Sequence, residues 1–411
     1  MATPLERCVI CGSGALEVVL SLGEMPPVNS FLSGPEQVAA ERRHPLAIAF
    51  CASCTHVQLT HTLDPKELFN DYPYFSSMSE TVVQWGAELA RRYVRELSLK
   101  KDDLVVELAS NDGSILEAFA PHCRILGVEP AKNIAGVANA RGVPTRAEFF
   151  DGQLADRLSA ETGPARLILA RNVVAHVPRV VDFVAGAGRW LATDGILHVE
   201  VPYVREMVDK VEFDTIYHEH VSYFSVTALE RLFRESGLVL WDLEEIALHG
   251  GSLVARGKRT ASPTPRVRRY LEEEKARGFT AVDAYRAFAA STEALKARLP
   301  QLLWDMRRRG KTLAGYGAAA KGVVLTNYCG IGSDLLPFVA DRSPYKQGRL
   351  MPGVYIPVVP PEQILQSRPD YLLVLAWNFF DEIARQQSAY RDLGGRFILP
   401  VPVPTVHPHE G

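Results

Sequence analysis

The sequence lacks the features that direct a protein to a membrane, to nucleic acid or out of the cell. None of its apolar runs reaches the roughly 20 residues that a membrane-spanning helix needs. Its formal net charge at pH 7 is −3, so there is no basic excess for nucleic acid or an anionic membrane surface. Residues 1–7 lack the basic and then apolar pattern of a signal peptide. We therefore expect a cytoplasmic protein that binds neither nucleic acid nor membranes.

Cysteine is also scarce, but four of the six cysteines form two close pairs. Cys8 and Cys11 make one Cys-X-X-Cys motif, and Cys51 and Cys54 make the other. Two such pairs supply four thiolates, which is enough to close a tetrahedral shell around a structural zinc ion. The segment between the pairs is rich in proline and polar residues, so a metal would supply folding energy that a small core cannot. We expect a zinc-binding domain over residues 1–65; four unconnected cysteines are the alternative.

A polar turn follows the first strand predicted for the central part of the chain. This strand covers residues 104–108, and a second strand over residues 125–128 ends in Glu129 and Pro130. In such a βαβ unit, an acidic residue at the tip of the second strand accepts hydrogen bonds from the hydroxyls of a ribose. The turn is not a GxGxxG loop, so an adenosine ligand without phosphates fits it better than a dinucleotide. S-adenosylmethionine is the obvious candidate, and a flavin or nicotinamide domain with a degenerate loop is the alternative.

Further strands extend this Rossmann-like unit to about residue 260. We predict them at residues 166–170, 195–202 and 253–256. Asn172 and His176 follow the first of these strands, and polar residues at this end of a parallel strand face the ligand crevice. A helical bridge over residues 66–100 precedes the unit. It carries Tyr72 and Tyr74, which fit either one wall of a polar ligand site or ordinary packing.

A second strand–turn–helix pattern lies in the last part of the chain. The sequence GYGAAAKG at residues 315–322 has glycines that let backbone N–H groups approach an anion, and Lys321 adds a positive charge. Asp341 begins a charged group at the tip of the next strand, and a third strand ends in Trp377. We expect residues 261–411 to form an α/β domain whose crevice suits a nucleotide diphosphate.

Residues 214–225 carry the densest group of reactive side chains. Within them, Tyr217, His218, Glu219 and His220 follow one another directly. The histidines are two residues apart, so on a helix they would not share a face, and the HExxH spacing of a zinc site is absent. We therefore interpret this stretch as a site of acid–base chemistry. A metal site and a hydrogen-bonded structural cluster are the alternatives.

Several motifs occur in order along the chain and together support a resemblance. Besides the cysteine pairs they are YPYFSSMS, ELASNDGS, ARNVVAHVP, HVEVPY, IYHEHVSYFS, HGGSL, GYGAAAKG, DRSPYKQG and LAWNFF. With them the chain resembles, over nearly its whole length, the S-adenosylmethionine-dependent sugar C-methyltransferases of deoxysugar biosynthesis, which act on nucleotide-linked 4-keto-6-deoxysugars. The resemblance implies an α/β fold with an N-terminal zinc-binding segment, a central Rossmann-like class I methyltransferase domain over residues 66–260 and a C-terminal Rossmann-like α/β domain. We expect a monomer.

The resemblance also implies roles for individual residues. The zinc ligands match Cys8, Cys11, Cys51 and Cys54. His220 matches the general base, and the residues that line the reacting sugar match Tyr217, Glu219, His176 and either Tyr72 or Tyr74. The expected cofactor-binding residues are Glu107, Ala109, Ser110, Asn111, Asp112, Gly113, Glu129, Pro130, Asn172 and Val173. The expected contacts of the nucleotide sugar are Tyr223, His249, Lys321, Asn327, Asp341, Arg342, Tyr345, Lys346, Trp377 and Asn378.

The implied chemistry requires a base, because a carbon next to a ketone must lose a proton before it can accept a methyl group. A 4-keto sugar offers C3 or C5 for this step, and we expect C3. An O- or N-methyltransferase acting on a nucleotide sugar or a small natural product would need no ketone and is the alternative. A zinc-bearing binding module without catalysis is the third possibility. Arg171 departs from the family pattern, where a smaller polar residue is expected before Asn172.

Overall fold

The fold is built around three large β-sheets that are centred on successive parts of the chain. The computed structural model describes residues 2–69, 75–78, 80–246 and 251–407. Within these residues, a four-stranded sheet has three of its strands in the N-terminal segment, which also forms a two-stranded sheet; seven strands form a sheet in the middle segment and six in the C-terminal segment. We use these three names for residues 1–65, 66–260 and 261–411.

The N-terminal segment forms an antiparallel sheet next to the cysteine pairs. Its strands are β1 (Thr3–Pro4), β2 (Leu16–Met25), β3 (His44–Cys51), β4 (Val57–Leu59) and β5 (His61–Thr62), followed or interrupted by the helices α1 (Pro35–Ala40) and α2 (Pro65–Phe69). β3 pairs with β2 on one side and with β4 on the other. A residue in the left-handed region follows each cysteine pair, namely Gly12 with φ 70° and Thr55 with φ 62°. These sharp turns bend the chain back so that the sulfur atoms can converge.

The middle segment forms a doubly wound sheet. Its strands are β6 (Leu104–Leu108), β7 (Arg124–Val128), β8 (Thr145–Arg146), β9 (Ala165–Arg171) and β10 (Leu191–Pro202) and, after the short strand β11 (Ser222–Tyr223), β12 (Val239–Ile246) and β13 (Ser252–Lys258). Its helices are α3 (Glu80–Glu96), α4 (Lys132–Ala140), α5 (Gly152–Thr162), α6 (Val180–Trp190), α7 (Val204–Asp209) and α8 (Val226–Glu235). The strand order is β12-β13-β10-β9-β6-β7-β8. β6 to β10 are parallel, and β13 runs antiparallel between β10 and β12.

The strands predicted for this segment are confirmed, and β10 begins at Leu191, earlier than expected. Between β6 and β7, Leu116–Phe119 forms a 3₁₀ helix and not an α-helix. Too few residues separate the polar turn from Pro121 for an α-helix to develop, and a short 3₁₀ turn still buries Leu116 and Phe119.

The short strand β11 belongs to the N-terminal sheet. It pairs antiparallel with β4, with Ser222 opposite Gln58 and Tyr223 opposite Val57. The ring nitrogen Nε2 of His56 also lies 3.1 Å from the Ser222 hydroxyl. The stretch that the sequence marked for acid–base chemistry is therefore supported by the segment that carries the cysteines.

The C-terminal segment forms a second Rossmann-like sheet, as predicted. Its helices are α9 (Pro265–Ala276), α10 (Val282–Arg308), α11 (Ala320–Cys329), α12 (Glu362–Ser367), α13 (Phe380–Gln386) and α14 (Ser388–Asp392). Its strands are β14 (Leu313–Tyr316), β15 (Val339–Ala340), β16 (Val358–Val359), β17 (Tyr371–Val374), β18 (Arg396–Leu399) and β19 (Thr405–His407), in the order β16-β15-β14-β17-β18-β19. All but β19 run parallel. No helix among the described residues, α10 included, is both long and apolar enough to cross a membrane.

One apolar core joins the N-terminal sheet to the C-terminal segment. Leu46 and Ile48 of β3 are buried in the same cluster as Phe288 of α10. The rings of Phe50 and Tyr285 pack with centroids 5.3 Å apart. The first and last segments of the chain therefore share a core, while the strands of the middle sheet contribute to two separate clusters.

Candidate active site

The four paired cysteines converge on one point. Their sulfur atoms all lie within 4.8 Å of one another. The Sγ atoms of Cys8 and Cys54 are 3.4 Å apart, and those of Cys11 and Cys51 are 3.7 Å apart. Sulfurs about 2.3 Å from a tetrahedral zinc ion lie roughly 3.8 Å from one another, so the cluster fits structural zinc. In the described part of the chain, this is the one group of three or more metal-binding side chains that lies close enough to hold an ion.

The loop after β6 has an unusual backbone conformation. Ala109, Asn111 and Gly113 have φ values of 55°, 51° and 74°, and Asn172 after β9 has a φ value of 50°. This left-handed region is uncommon for residues other than glycine, and such residues cluster at ligand sites. β6 and β9 are adjacent and parallel, so both turns open at the same edge of the sheet. The structure thus brings together the cofactor residues predicted on these two turns.

Two buried carboxylates flank this loop. Glu129 accepts a backbone hydrogen bond on each oxygen, from Asn111 at 3.0 Å and from Ala131 at 2.9 Å, and each oxygen keeps a second lone pair for a ribose hydroxyl. The Oε2 atom of Glu107 is buried without a hydrogen-bond partner among the described residues. Burial raises the pKa of Glu107 to about 8, although Arg171 opposes the effect. A cation would satisfy this oxygen, so the loop fits S-adenosylmethionine, which carries a positive sulfonium group.

Residues 75–78 of the bridge lie against the same loop. The backbone N–H of Ser76 donates to Oδ1 of Asn111 at 2.8 Å. The next N–H, of Ser77, donates to Oδ2 of Asp112 at 3.1 Å. Residues 75–78 therefore cover one side of the loop.

Arg171 supplies a buried positive charge where a smaller residue was expected. Its Nε donates to Glu200 at 3.0 Å, and its guanidinium lies 3.8 Å from Glu107. Glu200 also accepts hydrogen bonds from Asn172 at 3.2 Å and from Trp85 at 3.3 Å. Burial alone would raise the pKa of Glu200, but Arg171 and His198 together outweigh that effect, and the pKa lies well below its usual range. One arginine therefore neutralises buried acids beneath the loop.

His220 is held through its Nδ1 atom and presents its Nε2 atom. Nδ1 lies 2.9 Å from the carbonyl oxygen of Thr215, which can only accept a hydrogen bond, so Nδ1 carries a proton. Nε2 then holds the lone pair, and it lies 2.9 Å from the hydroxyl of Tyr217. The carbonyl belongs to the 3₁₀ turn Phe213–Thr215. In this geometry a neutral imidazole can take up a proton on Nε2.

Neutral polar side chains surround the His220 ring. Its centroid lies 4.0 Å from that of Tyr217, 4.9 Å from that of His176 and 6.5 Å from that of Tyr223. Nδ1 of His176 and the hydroxyl of Tyr223 are buried without hydrogen-bond partners among the described residues. Burial lowers the pKa of His176 to about 4 and raises the pKa of Tyr223 well above its usual value, so both are uncharged near pH 7.

The other two members of the motif contact the N-terminal segment. Oε1 of Glu219 accepts a hydrogen bond from Nδ2 of Asn29 at 2.6 Å. His218 is buried edge-on against His44, with ring centroids 5.9 Å apart, and burial lowers the pKa of His218 to about 4. Sequence reasoning missed Asn29, which is 190 residues from its partner. Thr215 could not be predicted either, because it acts through its backbone carbonyl, which every residue type has.

The residues predicted to contact the nucleotide lie in more than one place. Nζ of Lys321 is 3.8 Å from Glu212 and 4.2 Å from the centroid of the Trp377 ring. Trp377 in turn donates from Nε1 to Oδ2 of Asp214 at 2.6 Å. Arg342, by contrast, borders a cavity of about 460 Å³ at the carboxyl ends of β14, β15 and β16. Lys321 and Trp377 therefore face the middle segment, and Arg342 faces a different space.

Other predicted contacts are engaged within the C-terminal segment. Asn327 donates to two backbone carbonyls at 2.8 and 3.0 Å. Lys346 donates to the carbonyl of Ala318 at 2.8 Å, and Asp341 accepts from the backbone of Ser343 at 2.8 Å. These side chains shape loops around the glycine-rich turn.

The remaining predicted residues differ in their surroundings. Tyr345 is exposed, and Asn378 borders a depression of about 280 Å³. Pro130 and Val173 are half-buried beside the cofactor turns. Tyr72, Tyr74 and His249 lie outside the described residues.

The seven-stranded order, with β13 antiparallel next to the edge, defines a class I S-adenosylmethionine-dependent methyltransferase fold. Family models agree along the chain. A zinc binding domain matches residues 8–69, a methyltransferase domain matches residues 83–243, and a C-methyltransferase C-terminal domain matches residues 247–402.

The chain belongs to the C-methyltransferases. It is 38% identical over 407 residues to C-methyltransferase NovU of Streptomyces niveus, and the match covers 98% of this chain and 97% of that protein. The chain is therefore an S-adenosylmethionine-dependent C-methyltransferase with a structural zinc site, as the motifs predicted.

Two solved structures match only part of the chain. Magnesium protoporphyrin IX methyltransferase of Synechocystis PCC 6803 with bound S-adenosylmethionine is 11% identical, with a TM-score of 0.33, and the match covers 43% of this chain and 79% of that one. YcgJ of Bacillus subtilis is 14% identical, with a TM-score of 0.34, over 43% of this chain and 100% of that one. At these scores the likeness carries no argument, and the strand order supports the fold.

Proposed function

We propose that this C-methyltransferase moves the methyl group of S-adenosylmethionine to a carbon beside the ketone of a nucleotide-linked 4-keto-6-deoxysugar. The proposal includes thymidine diphosphate as the nucleotide, C3 as the carbon and a role in deoxysugar and antibiotic biosynthesis. The observation that carries it is the pair His220 and Thr215, which presents a neutral imidazole nitrogen as a base. The C-methyltransferase relative supports carbon as the acceptor.

A base at this position suits carbon methylation better than methylation of oxygen or nitrogen. A sugar carbon has no lone pair to attack with, so it must first lose a proton. A neighbouring ketone acidifies that proton because the resulting anion delocalises onto the ketone oxygen. No observation at the site favours the O- or N-methyltransferase alternative.

His220 takes the proton through Nε2. The carbonyl of Thr215 holds the opposite ring nitrogen at 2.9 Å and stabilises the positive charge that develops on the imidazole. In the resting site, the Tyr217 hydroxyl occupies the Nε2 lone pair. Substrate entry must displace this contact, after which Nε2 faces the sugar. General base catalysis of this kind contributes on the order of 10²- to 10⁴-fold in rate.

The enolate oxygen needs donors that do not compete for the proton. Once Tyr217 leaves Nε2, its hydroxyl can donate to the developing oxyanion. Tyr223 has a buried hydroxyl and His176 a buried ring nitrogen, each without a partner among the described residues. Both side chains are uncharged near pH 7, so neither competes with His220 for the proton. These three side chains and one of the bridge tyrosines are our proposed oxyanion contacts.

The loop after β6 orients the methyl donor. Bound S-adenosylmethionine supplies an electrophilic methyl group. Glu107 offers a buried carboxylate for the cationic part of that ligand, and Glu129 offers lone pairs for its ribose. Residues 75–78 lie against the loop and donate hydrogen bonds to Asn111 and Asp112. Correct placement of the two reactants supplies much of the remaining rate.

The nucleotide end of the substrate is proposed to lie against the C-terminal segment. Arg342 and Tyr316 border the 460 Å³ cavity there, and a guanidinium suits a diphosphate.

We also propose that the chain has three domains, at residues 1–65, 66–260 and 261–411. β11 qualifies the first boundary, because a strand from the middle of the chain completes the N-terminal sheet.

Product analysis tests the function. The purified protein is incubated with ¹³C-methyl-labelled S-adenosylmethionine and the thymidine-diphosphate-linked 4-keto-6-deoxyglucose or its 2,6-dideoxy relative. We expect the labelled methyl carbon to be bonded to C3, as shown by its carbon–proton correlations and by a chemical shift outside the range of O-methyl and N-methyl groups. Label on oxygen or nitrogen would contradict carbon methylation, and label at C5 would contradict the position alone.

A further inference from the structure

The C-terminal segment contacts the turn that precedes the proposed base. The 3₁₀ turn Phe213–Thr215 belongs to the middle segment and packs against helix α11. Trp377 donates from its indole N–H to Asp214 at 2.6 Å, and the ring of Phe213 packs on Tyr328 with centroids 5.2 Å apart. A residue from the far end of the chain therefore contacts the turn from which His220 is held.

The acids on this turn are buried and under-bonded. Oε1 of Glu212 and Oδ1 of Asp214 have no hydrogen-bond partner among the described residues, and neither does Nζ of Lys321. Lys321 approaches Glu212 to 3.8 Å and stacks on the Trp377 ring at 4.2 Å. Burial raises the pKa of Glu212 to about 7 and that of Asp214 to about 6, although Lys321 opposes both shifts. Such a group keeps its geometry only while all its partners stay in place.

Asp214 is linked to the proposed base His220 through the backbone of the next residue, Thr215. Asp214 directly precedes Thr215, whose carbonyl accepts the hydrogen bond from Nδ1 of His220 at 2.9 Å. A rotation of the turn would move this carbonyl away from the imidazole. The ring would then be free to change tautomer, and Nε2 would no longer be set to accept a proton.

We propose that Trp377, by holding Asp214, is a positioning residue for the catalytic base. It acts on the proton-transfer step and not on the affinity for either ligand. The sequence pattern predicts a contact with the nucleotide for Trp377 instead. The proposal rests on the proposed role of His220 as the base.

The test compares Trp377→Phe with a matched control. Phenylalanine keeps an aromatic ring under Lys321 but removes the N–H that Asp214 accepts. Trp304→Phe on the surface of α10 is the control, because its side chain is partly exposed and lies outside the site. For each protein we would measure kcat, KM for the ketosugar, the Kd for S-adenosylmethionine, and the rate of deuterium uptake beside the ketone. Uptake is followed in deuterated water with S-adenosylhomocysteine bound, so that no methyl transfer interferes.

We expect Trp377→Phe to slow both deuterium uptake and kcat by roughly 10- to 100-fold, the effect of losing a hydrogen bond to a charged group. KM, Kd and the control variant should be unchanged. Asp214→Asn keeps an acceptor and should retain most of the rate, whereas Asp214→Leu should not. The double variant of Trp377→Phe and Asp214→Leu should be no slower than either single one, because both break the same contact.

Several outcomes would overturn the proposal. A rise in KM with unchanged kcat and uptake would place Trp377 in the nucleotide site. Losses that multiply in the double variant would show that the two residues act separately. If the wild-type protein shows no uptake at all, the base mechanism fails and the positioning role fails with it. If the wild-type protein shows uptake and Trp377→Phe matches it, only the positioning role fails.

Discussion

Glu219 accepts a hydrogen bond from Asn29 at 2.6 Å, although 190 residues separate the two side chains. Asn29 belongs to the segment that carries the zinc site, and Glu219 sits beside His220 in the chain. Together with the pairing of β11 and β4, this contact makes the zinc-bearing segment part of the wall of the proposed active site.

Removing the Asn29 amide should damage the active site more than the fold. Asn29→Ala takes a donor away from a buried carboxylate, which costs about 1–2 kcal/mol. Asn29→Asp should be worse, because it places a second negative charge beside Glu219. Thermal unfolding and kcat check the prediction, with Asn139→Ala as a control on an amide that bonds only to its own helix and the next strand. Asn29→Asp with normal turnover would refute the role of this contact.

Loss of the zinc ion should abolish methyl transfer without touching the cofactor loop. Cys51→Ser removes one ligand at the end of β3, and β4 then loses its anchor next to β11. We expect a fall in Tm of roughly 5 °C or more and a loss of zinc by mass spectrometry. Cys329→Ser, at a buried cysteine outside the cluster, should keep its zinc. Full activity in metal-free protein would show that the N-terminal sheet is dispensable.

Arg171 should be needed because of the acids it neutralises. Arg171→Met leaves Glu200 buried with a negative charge, which should lower the free energy of unfolding by about 3–5 kcal/mol. Adding Glu200→Gln removes that charge and should recover a large part of the loss. Denaturant unfolding of both variants makes the comparison. A double variant as unstable as Arg171→Met would mean that the arginine acts through packing.

Affinity for S-adenosylmethionine should depend on pH through Glu107. Its pKa is raised to about 8, so below this pH the ionised form that attracts a cation must be made by releasing a proton. Affinity should therefore rise as the pH increases from 6 towards 8, by at most about tenfold per pH unit, and then level off. Calorimetric titrations of the wild-type protein and of Glu107→Gln isolate this effect from the titration of the ligand. Identical pH profiles would exclude Glu107 as the partner of the cation.

The same shift has a consequence for the ligand-free protein. Because the folded pKa lies above the unfolded value of 4.5, the folded state holds a proton that the unfolded state has lost. The contribution of Glu107 to stability is therefore complete below pH 4.5 and declines as the pH rises to about 8. Glu107→Gln should lack this part of the decline in a series of denaturant titrations. A decline of equal size in both proteins would assign it to other groups.

Local patterns in the sequence predicted the parts of the fold that depend on local physics. Apolar runs such as residues 104–108 became buried parallel strands, and the spacing within each cysteine pair implied a turn that converges two sulfurs. His218 packs against His44 with ring centroids 5.9 Å apart, whereas Nδ1 of His220 lies 2.9 Å from the carbonyl oxygen of Thr215.

Long-range partners could not be predicted in this way. Nothing near Ser222 shows that its strand pairs with Gln58 of another sheet. The carbonyl of Thr215 acts on His220 through the backbone, which is independent of the residue type. Trp377 follows a strand in the manner of a ligand contact, yet its N–H faces Asp214. Each of these contacts depends on how separate segments pack, and that information is distributed over the whole chain.

We propose that Nε2 of His220 removes a proton from the carbon beside the ketone. Deuterium uptake from deuterated water into the ketosugar, with S-adenosylhomocysteine bound, measures that step without methyl transfer. We expect wild-type protein to exchange this position, and His220→Asn to lose the exchange by at least about 10²-fold while it still binds S-adenosylmethionine. His218→Asn, two residues away, should keep the exchange if it stays folded. Normal exchange or methylation by His220→Asn would contradict the account.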